Sequence, residues 1–292
     1  MTAFAYFGPA GTFTEMALNR LLERGVVPTG GEVTTVAADS PAAAAALVRD
    51  GRADYACVPI ESSLEGSVPA TMDALTPDHA EQPLQAYAEV ALDIAFTIAA
   101  RESLRDDDVH TIAAYPVASA QVRDSVAARF PHARFVPASS NAGAARDVAD
   151  GHADAAVTTP IAAGLHHLTP LCEGVVDSEA VTRFLLIGRA GAPTPRTGTD
   201  RTSVILDLAN VPGSLVNALS AFADRDVDLT RIESRPRGAG QYRFFLDAAG
   251  HLDDPHVSEV LDALEGSVDR VVYLGSWPVD ERWLQLLRQD GD

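Results

Sequence analysis

The chain has 292 residues, enough for more than one domain with its own core, and its 47% hydrophobic and 22% charged residues are ordinary for a globular protein. A formal net charge of −19 argues against a nucleic-acid partner, because neutralising phosphates takes a surplus of cations. All 22 basic side chains are arginines, and the lack of lysine removes Walker-type phosphate binding, Schiff-base chemistry and a pyridoxal phosphate anchor together. The eight histidines are scattered and the two cysteines, Cys57 and Cys172, stand far apart. No metal-ligand spacing results, and each thiol is expected free and reduced. No apolar run is long enough to span a bilayer and no leader pattern opens the chain, so a cytoplasmic protein without a membrane partner is expected.

Residues 2–7 form a short strand pattern broken by Gly8-Pro9-Ala10-Gly11, and Thr12-Phe13-Thr14-Glu15 opens a helical run through Leu22. A strand, a glycine turn and a helix start can seat an anion, since the first helical N–H groups lack internal partners. Taken alone, the same residues fit a plain turn capped by Thr12 or Thr14 at least as well. A strand at 33–37 leads through Asp39-Ser40-Pro41 to an alanine-rich helix, which Gly51 stops after Val48. Residues 54–60 read as a buried strand running into the polar loop Glu61-Ser62-Ser63-Leu64-Glu65-Gly66-Ser67-Val68. Its hydroxyls either turn the chain or hold an anion. Pro69 then opens a helix to Leu75.

An extended apolar stretch at 84–99 follows, then a strand at 109–114, a helix from Pro116 to near Phe130, a strand at 133–136, and a helix at 142–149 entered through Ser139-Ser140-Asn141. The order Gly151-His152-Ala153-Asp154 echoes Gly51-Arg52-Ala53-Asp54, so the chain reads as two similar α/β lobes. Such lobes place ligand in the crevice between them. Val181-Thr182-Arg183-Phe184-Leu185-Leu186-Ile187-Gly188 then returns as a buried strand, with a hydroxyl and a guanidinium at its mouth. Thr182 is there either as a working donor or as a strand-end residue. The Gly/Pro/Thr-rich residues 191–199 read as a linker. Beyond them, strands at 202–208, 228–233, 241–248 and 270–274 alternate with helices at 215–223 and 255–264. This is a βαββαβ, ferredoxin-like unit with a sheet edge free to pair. After Val279, the stripe Trp283-Leu284-Leu286-Leu287 is expected to pack on a neighbouring surface.

Several of these segments, in this order, resemble the prephenate dehydratase family in its actinobacterial form. They are Gly8-Pro9-Ala10-Gly11-Thr12-Phe13-Thr14-Glu15, Val58-Pro59-Ile60-Glu61-Ser62-Ser63 with Gly66-Ser67-Val68, Thr182-Arg183-Phe184, and Glu233-Ser234-Arg235-Pro236. Pro116 with Gln121, and Ser140-Asn141, match weaker segments, and the likeness runs from Phe4 to Pro278. The resemblance implies an α/β fold in two parts. A catalytic region, two-lobed like the periplasmic binding proteins, spans 1–190, with lobes at 1–80 plus 165–190 and at 81–164. A linker at 191–200, a ferredoxin-like ACT regulatory domain at 201–278 and a tail at 279–292 complete it.

It also implies the reaction: prephenate loses its ring hydroxyl and a carboxylate as CO₂ to give phenylpyruvate, in phenylalanine biosynthesis. No cofactor or metal is expected, because the ring becomes aromatic and the departing carboxylate supplies the electrons. The family's essential threonine maps to Thr182. Thr12, Phe13, Glu61, Ser62, Ser63, Gly66, Ser140 and Phe184 are expected around the substrate. Arg183 is expected either to pair a substrate carboxylate or to brace the motif. L-Phenylalanine is the expected effector, at the glycine turn Asn210-Val211-Pro212-Gly213-Ser214-Leu215 and the strand end Glu233-Ser234-Arg235, in a homodimer or homotetramer. Two departures from the family pattern stand out. Ser62 replaces the usual Asn, and Val181 occupies the place before Thr182 where Asn is common. They leave room for arogenate as substrate. A non-aromatising decarboxylase and a non-catalytic amino-acid sensor are the other readings.

Overall fold

The computed structural model describes residues 1–77, 82–238 and 241–289. The first lobe begins with β1 (Thr2–Phe7), α1 (Phe13–Glu23), β2 (Val33–Ala38), α2 (Pro41–Arg49), β3 (Tyr55–Ser62), β4 (Gly66–Ser67), α3 (Pro69–Leu75) and β5 (Leu84–Asp93). Local chemistry sets several of these boundaries. Ser40 caps α2 by accepting from the Ala43 N–H, with Pro41 in the first turn, and Gly51 breaks the chain afterwards at φ +69°. The second lobe holds β6 (Phe96–Ala100), β7 (Thr111–Ala114), α4 (Pro116–Gln121), α5 (Arg123–Arg129), β8 (Arg134–Pro137), α6 (Asn141–Ala149), β9 (Ala155–Thr158), α7 (Pro160–Leu165) and β10 (Thr169–Val175). Ser140 caps α6 as Ser40 caps α2, which is the internal echo seen in the sequence. The single helix expected from Pro116 to Phe130 is two, because Val122 leaves helical geometry at φ −128°, ψ 14°.

Strand pairing fixes where the chain changes lobe. β11 (Val181–Arg189) completes a sheet of order β2-β1-β3-β11-β5, with β4 paired to β3, while the second sheet runs β10-β6-β9-β7-β8. The lobe boundary expected at 80/81 lies outside the described residues. β5, expected in the second lobe, pairs with β11 in the first sheet, and β10, expected in the first, pairs with β6 in the second. The crossings therefore fall between β5 and β6 and between β10 and β11. The sequence hides the first of them: Ile94 and Ala95 interrupt an apolar run with neither glycine nor proline.

The C-terminal part contains β12 (Asp200–Asp207), α8 (Ser214–Ala223), β13 (Leu229–Gly238), β14 (Gln241–Ala249), α9 (Pro255–Glu265), β15 (Arg270–Pro278) and α10 (Glu281–Gln289). Its antiparallel sheet runs β13-β14-β12-β15, with α8 and α9 packed on one face through Val204, Leu206, Phe222, Leu246 and Val260. Much of the other face is also buried. Ile205, Phe245, Leu274 and Trp277 join Leu185, Ile187, Val58 and Met72 of the first lobe in one core. The first-lobe sheet is thus covered by α1 on one side and by α2, α3 and the C-terminal sheet on the other. The tail forms α10, and its Trp283 packs on Ala91 and Val181 of the first lobe. No helix among the described residues is long and apolar enough to cross a membrane.

Candidate active site

β11 is the central antiparallel partner of β3 and β5, and its regular alternation sends successive side chains to opposite faces. Thr182, Phe184 and Leu186 point to the α1 face, where Phe184 and Leu186 join the core beneath Thr182. Arg183, Leu185 and Ile187 point to the C-terminal domain. Thr182 lies opposite Ser62 of β3 and Leu92 of β5, and Ser62 in turn lies opposite Gly66 of β4. Thr182 is half-buried.

The loop after β3 holds Thr182 from behind. Ser63 Oγ accepts from the Val181 N–H at 3.0 Å, and the Ser63 N–H donates to the Val181 carbonyl at 2.8 Å. Ser62 Oγ accepts from the N–H groups of Leu64 and Glu65 at 3.3 and 3.4 Å, so it turns the loop. Gly66, at φ +76°, lets that loop re-enter as β4.

Across the α1 face sits the first turn of α1. Glu15 bridges the Gly11 N–H at 2.5 Å and the Tyr6 hydroxyl at 3.3 Å, which fixes the Gly8–Thr12 turn. Burial, then the nearby Glu15 charge, pushes the Tyr6 phenol up to about 12, so it remains a donor. Thr12 bonds back to the Phe7 carbonyl at 3.4 Å, which leaves the first N–H groups of α1 as the polar surface of that turn. Phe13 packs edge-on against Phe96 of β6, with ring centroids 5.5 Å apart. The turn also touches the second lobe. Thr159 Oγ1 donates to the Gly11 carbonyl at 2.5 Å, and a Cβ on Gly11 would fall 2.8 Å from that of Ala162.

Ser140 is bonded to the Gly143 N–H as a helix cap, and the neighbouring Asn141 begins α6 beside the Gly11 turn. Sequence reasoning left three second-lobe groups out of the site. Among the described residues, the side-chain oxygens of Thr97, Gln121 and Asn141 are buried without a partner. Thr97 lies opposite Thr158, whose hydroxyl bonds the Asn141 carbonyl. Buried polar groups are normally paired, so these three are second-lobe atoms free of a protein partner and open to a further hydrogen bond. Their only sequence signal was the weak match at Gln121 and Asn141.

Three residues expected at the substrate are turned away from it. Arg183 is only 1% exposed, and its guanidinium bonds Glu61 at 2.8 Å, Glu89 of β5 at 3.1 Å and Asp247 of β14 at 2.7 Å. The Trp283 ring covers it, 5.4 Å from the guanidinium carbon. It braces the motif, and its guanidinium is taken up by carboxylates of the chain itself rather than turned to a substrate carboxylate. Glu61 shares that face because a bulge in β3 sets Glu61 opposite Arg183 but Pro59 opposite Phe184. Phe184, 2% exposed, is core.

Glu89 also accepts from Arg201, the Trp277 indole N–H and the Asp280 N–H. Burial alone would raise the Glu89 and Asp247 carboxyls, but the facing arginines outweigh it and hold both below the usual carboxylate range. Cys57 is fully buried, and burial pushes its thiol up, which makes it inert.

The expected effector residues fall into two groups. Gly213, at φ +89°, caps α8, and the exposed Asn210 and Pro212 precede it in the turn. Ser214 and Leu215, half-buried, form the first turn of α8. On β13, Ser234 is exposed, while Glu233 and Arg235 face the catalytic region: Ser67 Oγ donates to Glu233 at 3.0 Å, and Arg235 grips Asp73 through both carboxylate oxygens. Within one chain these two therefore serve the domain junction.

Comparison with known proteins agrees with this architecture. The family model for prephenate dehydratase matches residues 4–192, and that for the ACT domain matches residues 202–266. A prephenate dehydratase of Mycolicibacterium vanbaalenii is 54% identical over 291 residues, covering 96% of this chain and 92% of its own. The crystal structure of an Arthrobacter aurescens prephenate dehydratase in complex with L-Phe superposes with a TM-score of 0.86 at 38% identity, over 95% of this chain and 90% of that one. A protein described as a novel type of quorum quenching acylase superposes at 0.81 with 26% identity, over 97% and 99% of the two chains. The Thr182 strand, the two lobes around it and the sheet docked behind it thus recur as a set, and the chain belongs to the prephenate dehydratase family, with an ACT domain following the catalytic region.

Proposed function

We propose that Thr182 is the donor through which this dehydratase expels the ring hydroxyl of prephenate. The reaction breaks the ring C–O bond and the bond from the same ring to its carboxylate. The carboxylate leaves as CO₂, its bonding pair enters the ring, and the ring becomes aromatic. The hydroxyl departs with its own electron pair and needs a proton to leave as water. A threonine hydroxyl is too weakly acidic to give up a proton outright at neutral pH, so its part is to hydrogen-bond the developing negative charge and relay a proton in a low-dielectric cleft. A donor aimed at developing charge is worth about 3 kcal/mol.

The observation that carries this reading is the position of Thr182: half-buried on the α1 face of β11, its backbone held by Ser63 and its neighbour Arg183 held by three carboxylates. The substrate's carboxylates are assigned to the N–H groups at the start of α1 near Thr12 and Phe13 and to the loop at Ser62, Ser63 and Gly66. From the second lobe, Ser140 and the unpartnered Thr97, Gln121 and Asn141 are assigned to the same ligand. Mixing the protein with prephenate and following phenylpyruvate absorbance in alkali tests the assignment. Thr182→Ala is expected to lower kcat by about 10²- to 10³-fold. Full activity in that variant would overturn it.

The regulatory reading assigns the L-phenylalanine seat to the turn at Asn210, Pro212 and Gly213 with Ser214 and Leu215 of α8. The Arthrobacter relative, solved with L-Phe, supports this. Exposed Ile232 on the edge strand β13 and exposed Tyr242 on its neighbour β14 favour a homodimer or homotetramer built on that edge. The assignments of 1–190 as catalytic region, 191–200 as linker, 201–278 as regulatory domain and 279–292 as tail belong to the same proposal, as does a cytoplasmic location. Chromatography coupled to light scattering, with and without L-phenylalanine, tests the assembly; a monomer in both conditions would sink it.

A further inference from the structure

Two cross-strand rows lie side by side in the first-lobe sheet. Ser67, Glu61, Arg183 and Ala91 are in register across β4, β3, β11 and β5, and one step along lie Gly66, Ser62, Thr182 and Leu92. The second row carries the catalytic hydroxyl. The ACT domain takes hold of the first. Asp247 of β14 reaches Arg183 at 2.7 Å and is itself aimed by Ser203 Oγ, which donates to its other oxygen at 2.7 Å. Arg231 of β13, directly opposite Asp247, donates to Ser67 Oγ at 2.8 Å. Ser67 donates in turn to Glu233.

The charges leave little freedom at this junction. Arg183, Arg201 and Arg231 face Glu61, Glu89 and Asp247, so cations and anions balance in number. Asp247, Glu89 and Arg183 are side chains with almost no solvent contact, so water does not replace a lost partner. Asp247 is the only one of these three carboxylates that belongs to the ACT domain. When β14 moves, its carboxylate must draw Arg183 with it or leave a buried guanidinium short of a counter-charge.

We infer that Asp247 is a positioning residue for the dehydratase reaction: it holds Arg183, and through Arg183 the strand that carries Thr182, so that the placement of the ACT sheet is felt at the catalytic hydroxyl. This rests on Thr182 being the donor. The same residue also ties β13 to the reaction, since β13 is registered on β14 at Asp247 and carries Glu233 three residues past Thr230, whose hydroxyl donates to the Asp247 backbone carbonyl. A ligand that shifts β13 therefore shifts both grips on the first row at once.

The test uses the full chain with Asp247→Asn, which keeps the shape but removes the charge, and Ser203→Ala, which keeps every charge and removes only the bond that aims Asp247. Initial rates against prephenate are measured with and without L-phenylalanine, beside thermal unfolding to establish that each variant is folded. A displacement of the donor by a fraction of an ångström to about 1 Å is expected to lower kcat of Asp247→Asn roughly ten- to hundredfold. KM should change less than kcat, because Asp247 is bonded to Arg183 beside Thr182 and not to the substrate loop at Ser62, Ser63 and Gly66. The response to L-phenylalanine should be blunted, and Ser203→Ala should move the same quantities in the same direction by less.

A purely structural staple predicts a lower unfolding temperature with kcat and the phenylalanine response of the wild type, and that result would overturn the inference. Should Asp247→Asn fail to fold, Ser203→Ala decides: wild-type kcat and response in that variant count against it. Wild-type protein that makes no phenylpyruvate would sink the functional reading itself, whereas an active wild type with unaffected variants sinks only the role of Asp247.

Discussion

Arg183 shows how far a single residue can be read before its surroundings are known. Its place beside Thr182 is plain in the sequence, as is the choice between holding substrate and holding the strand. What decides the choice is not local: its partners Glu89 and Asp247 lie 94 and 64 residues away. Glu61 is nearer in role but reaches Arg183's face only through a bulge, which no alternation pattern announces. Arg183→Met is therefore expected to remove the counter-charge of three carboxylates and to destabilise the fold by roughly 3–5 kcal/mol, read as a lower denaturant midpoint. Arg183→Lys should recover only part of that, since a point charge cannot fork to carboxylates on separate strands. Equal stability of Arg183→Met and wild type would contradict the burial of the cluster.

At the scale of elements, the strand–turn–helix units were legible because their punctuation is local: Ser40-Pro41 and Ser140 open helices, Gly51 and Gly151 close them. The lobe crossings were not, because β5 and β6 are separated by residues without turn chemistry, and membership of a sheet is settled by partners rather than by the strand itself. Two elements invite tests. Gly11 combines φ +86° with a Cβ position 2.8 Å from Ala162, so Gly11→Ala should push the α1 turn away from the second lobe. Its expected marks are a raised KM for prephenate and a loss of roughly 1–3 kcal/mol of stability; an unchanged KM would separate that turn from the substrate. Ser63→Ala frees the Val181 N–H and should cost about 1 kcal/mol of stability together with a fall in kcat.

For the whole molecule, the junction between catalytic region and ACT domain sets a pH limit. Folding lowers the Glu89 and Asp247 carboxyls, so in the folded state they release protons more readily than in the unfolded chain. The stability they confer is complete above the unfolded carboxylate range, near pH 4, and drains away as pH falls through their folded values. Denaturant titrations from pH 7 down to pH 3 should show a midpoint that drops below about pH 4. In Asp247→Asn the drop should be shallower. A midpoint independent of pH over that interval would mean that the buried charges do not hold the domains together.

The chain contains two tryptophans. Both lie in this junction: the Trp277 indole donates to Glu89, and the Trp283 ring lies over Arg183. Neither has more than 5% of its surface exposed. Tryptophan emission, excited selectively beyond the absorption of the six tyrosines, is therefore an optical signal from one place. Any event that loosens the ACT domain, acid or a substitution at Asp247 among them, should wet both indoles and move the emission to the red, so the enzyme carries its own label for movement at the junction.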